Sequence, residues 1–343
     1  MNHKPKLIIT GGCSYSQVPN RDITWPVHLV NALDPDQYVY MGHGAAGNDT
    51  ISRKIISTVQ EALDRGFDTQ DILVGIAWSG CDRTSRYSEN ETVYNKATHL
   101  GSDERVDSDF IVTRTQETDP FIRRGGLDLS IENSDPATKY ESAGHNLRGA
   151  MTPYAIRHKT RGYFYLLNPN WEDEATIEHF KHYVSPVQAI MQTCEHILRI
   201  QWFLKSLNIK YFMTEYDCDV FTYAGPHKKE FGWKNSHYMN DQYTGDADDP
   251  DNHYNVDDCM VPLNNDQLKK LINTVYDNPE VNYLYNMINK DQWLPIRHIK
   301  HWTTENSVHP LRDPSDSHPS TGQHKDFTEQ VILPYLLEKY HMQ

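Results

Sequence analysis

Apolar positions along the first eighty residues come in short runs that alternate with helical stripes. Lys6–Thr10 is an apolar run closed by Gly11-Gly12, the pattern of a strand buried in a parallel sheet. Trp25–Leu33 follows as a helix, with Thr24 as its cap and Pro26 in the first turn, where a missing N–H costs nothing. Tyr38–Met41 is a second strand ending at a glycine-rich turn. Behind Asn48 and Asp49, both good caps, Ile51, Ile55, Ile56, Val59, Ala62 and Leu63 recur at helical spacing. Ile72–Trp78 is a third strand. Strands and helices alternating at such short intervals predict an α/β protein, a parallel sheet with helices on both faces.

The same unit returns further on. Val187, Ile190, Met191, Cys194, Ile197, Leu198 and Trp202 form one apolar stripe within Ser185–Leu207, and Asn208 leads into a strand over Ile209–Thr214. A last helix spans about Lys325–Tyr340, where Pro334 is expected to kink or interrupt it. Residues 84–184 and 217–300 are polar and weakly periodic. Structureless loops of that length are rare inside a domain, so both stretches are expected to be insertions in a single domain spanning 1–343. They are expected to form a cap or lid over the sheet's carboxyl edge.

Composition narrows the function classes. The chain has 343 residues, 38% of them hydrophobic and 11% aromatic, which is the make-up of a folded protein. No apolar run approaches the ~20 residues of a membrane helix, and no signal peptide is evident at the amino terminus. The net charge of -14 repels phosphate backbones, so no nucleic-acid partner is expected. Five scattered cysteines without a CxxC argue against a disulfide framework or zinc knuckle and suit a reducing, cytoplasmic compartment. Oligomeric state is not legible.

Three segments carry candidate chemistry. Gly11-Gly12-Cys13-Ser14-Tyr15-Ser16 lies between a strand and a helix, so Ser14 stands at a strand's carboxyl end, where open α/β sheets place ligands. Backbone N–H groups in such a turn also suit an oxyanion. Gly42-His43-Gly44-Ala45-Ala46-Gly47-Asn48 occupies the equivalent place after the second strand, and its glycines let backbone N–H groups approach a ligand. Near the carboxyl terminus, Asp313-Pro-Ser-Asp316-Ser-His318-Pro-Ser-Thr-Gly322-Gln-His324 offers a histidine and carboxylates. A serine nucleophile needs such a histidine to take its proton and an acid to orient the imidazole. Each segment also has a plain alternative, as a tight turn, a demanding loop or a polar loop.

Taken in this order, the blocks resemble the SGNH (GDSL) hydrolase superfamily. Gly12-Cys13-Ser14 resembles its Gly-Asp-Ser block, Gly44 its oxyanion glycine, and Asp316-Ser-His318-Pro its acid–base block; Trp25 suits one branch. The likeness covers about residues 6–83, 185–216 and 300–340. It implies a three-layer α/β/α sandwich around a mostly parallel, flavodoxin-like sheet. It also implies a serine esterase with a triad of Ser14, Asp316 and His318, acting on small acyl esters such as O-acetylated glycans, with no cofactor and no metal. The oxyanion hole would use backbone N–H groups of Ser14 and Gly44, with a side-chain donor from Asn48 or Ser79.

Three departures bear on activity. Cys13 replaces the usual Asp, the family's Gly-x-Asn after the third strand is here Trp78-Ser79-Gly80, and the acid–base spacing is Asp-x-His, with Ser315 at the usual acid position and Asp313 as a second candidate. The competing reading is a catalytically impaired binding or structural module on the same fold. Lesser alternatives are Cys13 or Ser16 as nucleophile, a metal site using the acidic stretch Asp246–Asp258, and sugar stacking by Tyr163, Phe164, Tyr165 and Trp171.

Overall fold

Every residue of β1 (Leu7–Gly11) and β3 (Ile72–Trp78) is buried, as a strand covered on both faces requires. The computed structural model describes residues 4–17, 23–42, 44, 46–81, 83–88, 122–123, 163–167, 182, 185–216, 278–310 and 318–342. The main sheet adds β2 (Gln37–Tyr40), β7 (Lys210–Glu215) and β8 (Trp293–His298), all parallel, and a two-residue antiparallel edge, β5 (Ile122–Arg123). Its order is β5-β2-β1-β3-β7-β8. The chain therefore moves outward in one direction from β1 to β2 and in the other from β3 onward. The order reverses between β1 and β3, and it is outside the carboxyl ends of strands at such a point that open α/β sheets place their ligands.

Period-2 alternation divides the core. Leu7, Ile9, Ile72, Val74, Ile76 and Met213 pack with Ile51, Ile55 and Val59 of α2 (Asn48–Asp64) and with Ile190, Cys194 and Ile197 of α3 (Pro186–Ser206). Val281 and Tyr285 of α4 (Pro279–Met287) complete that cluster. Ile8, Leu73, Ala77 and Phe212 point the other way, against Trp25, Leu29 and Leu33 of α1 (Trp25–Leu33) and Trp302 of α5 (Ile299–Asn306). Phe327 of α6 (Thr321–Phe327) and Leu336 of α7 (Leu333–Tyr340) join them.

Several expectations need adjustment. The stretch 217–300, expected to be an insertion, contributes β8 to the sheet itself and supplies α4. Pro295 obscures that strand in the sequence, yet a proline is tolerated at an edge, and β8 is the edge beside β7. Trp202 does not join the apolar stripe of α3; it is 56% exposed. The interruption near Pro334 takes the form of a π-helical turn over Thr328–Ile332, joining α6 to α7. The wider turn accommodates a ring that would otherwise meet the preceding helical turn. Within 84–184, β4 (Thr84–Ser88) and β6 (Tyr163–Leu167) form a separate antiparallel pair. Asp49 ties its root to α2, accepting from the Ser85 N–H at 2.9 Å and the Ser85 hydroxyl at 2.6 Å. Among the described residues no helix is long and apolar enough to cross a membrane.

Lys54 of α2 is buried in this frame, and its Nζ donates to the Met41 carbonyl at 3.3 Å. Burial, reinforced by neighbouring Arg53, pushes its amine down to about 7. An amine that is charged in water and desolvated in the fold costs stability, so Lys54→Met is expected to raise stability at pH 7 by roughly 1–3 kcal/mol. Between the folded value near 7 and the unfolded value near 10.5, the unfolded chain binds more protons, so the wild type gains stability as pH rises. The advantage of Lys54→Met should therefore shrink from pH 7 to pH 10.5, which thermal melts across that range would check.

Candidate active site

The turn after β1 is tight because Gly12 allows it. A side chain there would collide with Ser16 Oγ and meet the Ala77 carbonyl at 2.9 Å. Ser14–Ser16 then forms one 3-10 turn, closed by the Ser16 N–H on the Cys13 carbonyl at 2.9 Å. From below, the buried Trp25 indole donates to Ser16 Oγ at 2.9 Å, which fixes the turn on α1. Ser16 is thereby fully buried and engaged, and Cys13 is fully buried too. Burial pushes the Cys13 thiol up, against the opposing pull of Arg83 and of hydrogen bonding with the Tyr15 backbone and the Ser79 and Ser14 side chains. A protonated, covered thiol is no nucleophile. Ser14, half-buried, is the side chain of this turn that remains open to reaction.

His318 reaches it from the far end of the chain. Its Nε2 lies 2.7 Å from Ser14 Oγ across 304 residues of sequence. With the ring proton on Nδ1, the hydroxyl donates to Nε2, the arrangement a general base needs. Pro319 and Ser320 follow His318, and Ser320 caps α6 by a capping box with Gln323, so the start of α6 anchors the histidine's segment. Tyr15 packs on the imidazole with ring centroids 4.8 Å apart. Tyr216, just beyond β7, meets Tyr15 edge-on at 5.1 Å, and the Arg83 guanidinium lies 5.2 Å from the Tyr216 ring centre. Behind them His324 is wholly buried; burial and the charges of His28 and His318 push it down to about 3, so it is neutral at physiological pH.

The oxyanion candidates are placed unequally. Gly42 lies so close to the Ser16 carbonyl that only a glycine fits, and it bridges Gln17 in parallel fashion. This docks the loop after β2 on the Ser14–Ser16 turn and brings Gly44 there, its N–H donating to Gln17 Oε1 at 2.9 Å. Asn48 is buried, and its carboxamide brackets one residue: it accepts from the Ser79 N–H at 2.8 Å and donates to the Ser79 carbonyl at 3.0 Å. The other amide hydrogen goes to Thr193 Oγ1 at 3.1 Å. Both hydrogens are therefore committed, and Asn48 serves to hold the turn after β3. Ser79 is buried there, its Oγ accepting from Arg83 Nη1 at 3.2 Å.

Asp316, Asp313, Ser315, His43, Trp171 and the stretch Asp246–Asp258 lie outside the described residues. Tyr163, Phe164 and Tyr165 fall on β6. Among the described residues no group of three or more His, Cys, Asp or Glu side chains stands where it could hold a metal ion. Sequence patterns did not single out Tyr15, Gln17, Arg83, Thr193 or Tyr216. The available signal was positional, since Tyr15, Gln17, Arg83 and Tyr216 all lie just past the carboxyl ends of β1, β3 or β7.

Asn48 and Ser79 can be separated experimentally. Asn48→Ala strips a buried N–H of its acceptor and is expected to cost ~1–3 kcal/mol of stability, with kcat falling as Ser79 shifts. Ser79→Ala is expected to leave the melting temperature nearly unchanged while lowering kcat ~10²–10³-fold if its hydroxyl meets the oxyanion. Melting curves beside ester kinetics would check both. No protein-family model matches the chain, and neither does any curated protein or solved structure.

Proposed function

We propose that the protein is a serine esterase of the SGNH type that cleaves small acyl esters of the acetyl class through an acyl-enzyme on Ser14. The observation that carries this is the 2.7 Å contact between His318 Nε2 and Ser14 Oγ, just past the carboxyl end of β1, where the sheet order reverses. Ser14 Oγ attacks the ester carbonyl carbon while His318 takes the hydroxyl proton. The tetrahedral oxyanion is held by the Ser14 and Gly44 N–H groups and the Ser79 hydroxyl, with Asn48 positioning Ser79. His318 then returns the proton to the leaving alcohol, and water attacks the acyl-enzyme with His318 again as base. Asp316 orients His318 in this scheme. The parallel strand order β2-β1-β3-β7-β8, with core clusters formed on both faces, supports a three-layer, flavodoxin-like α/β/α sandwich. The β4–β6 pair rooted on α2 supports a cap over the sheet's carboxyl edge. O-acetylated carbohydrate is the substrate class that the family resemblance implies.

A chromogenic acetyl ester tests the scheme: a burst of about one alcohol per protein, followed by slower turnover, is expected of an acyl-enzyme. No burst and no turnover with any short-chain ester would instead favour a binding module on a hydrolase fold. One observation already favours that second reading, because the Gly44 N–H has a protein acceptor in Gln17.

A further inference from the structure

Tyr15 follows the candidate nucleophile in the chain, and only 2% of it is exposed. Its ring lies against the His318 imidazole, with centroids 4.8 Å apart and planes inclined at 34°, a tilted, face-on packing. Two further rings meet it edge-on: Tyr216 at 5.1 Å and 62°, and His324 at 6.4 Å and 82°. Tyr216 lies just past β7 and His324 in α6, so two elements far apart in the chain help to fix the ring. An imidazole can turn about its Cβ–Cγ bond, and a fixed ring packed against its plane resists that turn. Such a ring also acts on charge. A cation within about 6 Å of an aromatic centroid is attracted by the ring's π-electrons, most strongly where water is excluded. The imidazolium formed when His318 takes the Ser14 proton stands within that distance of a buried ring. Among the described residues, the charged and titratable groups nearby include the Cys13 thiol, Tyr216, His324 with His28 behind it, and Arg83 on the Tyr216 ring. His324, neutral at physiological pH because it is buried, sets no second positive charge against that of His318.

The geometry points to Tyr15 as a positioning residue for the proposed reaction: its ring holds the plane of the His318 imidazole and stabilises the imidazolium that forms as Ser14 gives up its proton. This rests on the esterase reading of Ser14 and His318. It gives the imidazolium a stabilising partner other than a carboxylate, whichever aspartate serves as the acid. The attraction to charge acts on the transition state, because the positive charge arises there and is absent from the base form that receives the proton. Removing the ring therefore lowers kcat and leaves KM nearly unchanged.

Acetyl-ester kinetics across pH test this on Tyr15→Phe, Tyr15→Leu and a series with phenylalanines of increasing ring fluorination at position 15. Tyr15→Phe keeps the ring and is expected to retain most of the rate. Tyr15→Leu is expected to lose roughly two- to thirtyfold in kcat with little change in KM. Fluorinated rings keep the shape but draw electrons from the face, so kcat should fall stepwise along the series even where Tyr15→Leu fails to fold. An imidazolium with less stabilisation gives up its proton at lower pH, so the acid limb of kcat/KM should move to lower pH in the same order. Packing damage alone would move neither readout in step with fluorination. Equal kcat and an unmoved limb across the series, or a Tyr15→Phe as slow as Tyr15→Leu, would overturn the proposal. A wild-type protein whose Ser14 is never labelled by a fluorophosphonate would instead defeat the esterase reading, and the role of Tyr15 with it.

Discussion

Ser14→Ala and His318→Ala are each expected to lower kcat for an acetyl ester by ~10⁴–10⁶-fold, and the double variant to be no slower than either. The reason is the shared proton. On the proposed scheme a serine hydroxyl is a weak nucleophile until a base such as Nε2, 2.7 Å away, accepts its hydrogen, so losing either partner removes the whole step. Neither change should unfold the protein. Ser14 is half-buried and sits on a turn already fixed by Gly12, Ser16 and Trp25, while His318 is half-buried ahead of a helix with its own cap. Melting temperatures within a few degrees of wild type, beside lost turnover, would assign the loss to chemistry. Additive losses would mean that serine and histidine act independently.

The second large effect concerns the acid. With Nε2 turned to Ser14, Nδ1 is the ring atom left to a carboxylate, and the acid must come from a segment that can reach the far side of the imidazole. Asp316, two residues before His318, is the assigned group, and Asp313 is its rival. Asp316→Asn is expected to cut kcat by ~10⁴-fold, because an amide stabilises the wrong tautomer and gives no charge to the imidazolium. Asp313→Asn should leave kcat within a few-fold of wild type. The reverse ranking would move the acid to Asp313, and full activity in both would leave a Ser–His pair working without one. Kinetics of the two variants at one pH decide among these outcomes.

How much of this was legible in the chain follows from the physics of each element. Trp25–Leu33 and Ile72–Trp78 have the bounds expected of them, because a helical stripe and a continuous apolar run are both local signals. Strand β8 was hidden: Trp293–His298 contains a proline and a polar end, and only its place at the sheet edge makes it a strand. The pairing of Ser14 with His318 was legible as two motifs in family order, but not as a contact, since 304 residues separate them. The role of Asn48 could not be read. A helix-start asparagine looks like a cap, whereas here Gly47 takes the cap position and the Asn48 carboxamide spans to Ser79. Likewise nothing in Ser16-Gln17 foretells that the glutamine side chain crosses to Gly44, because that contact depends on how the loop after β2 docks.

The central claim is an activated serine at position 14, and an active-site label tests it without knowledge of the substrate. Intact protein treated with a fluorophosphonate should gain one adduct, mapped by mass spectrometry to the peptide carrying Ser14. His318→Ala should lose that adduct, because the base 2.7 Å from the hydroxyl is what makes it reactive. An adduct on another residue, none at all, or equal labelling in His318→Ala would contradict the account.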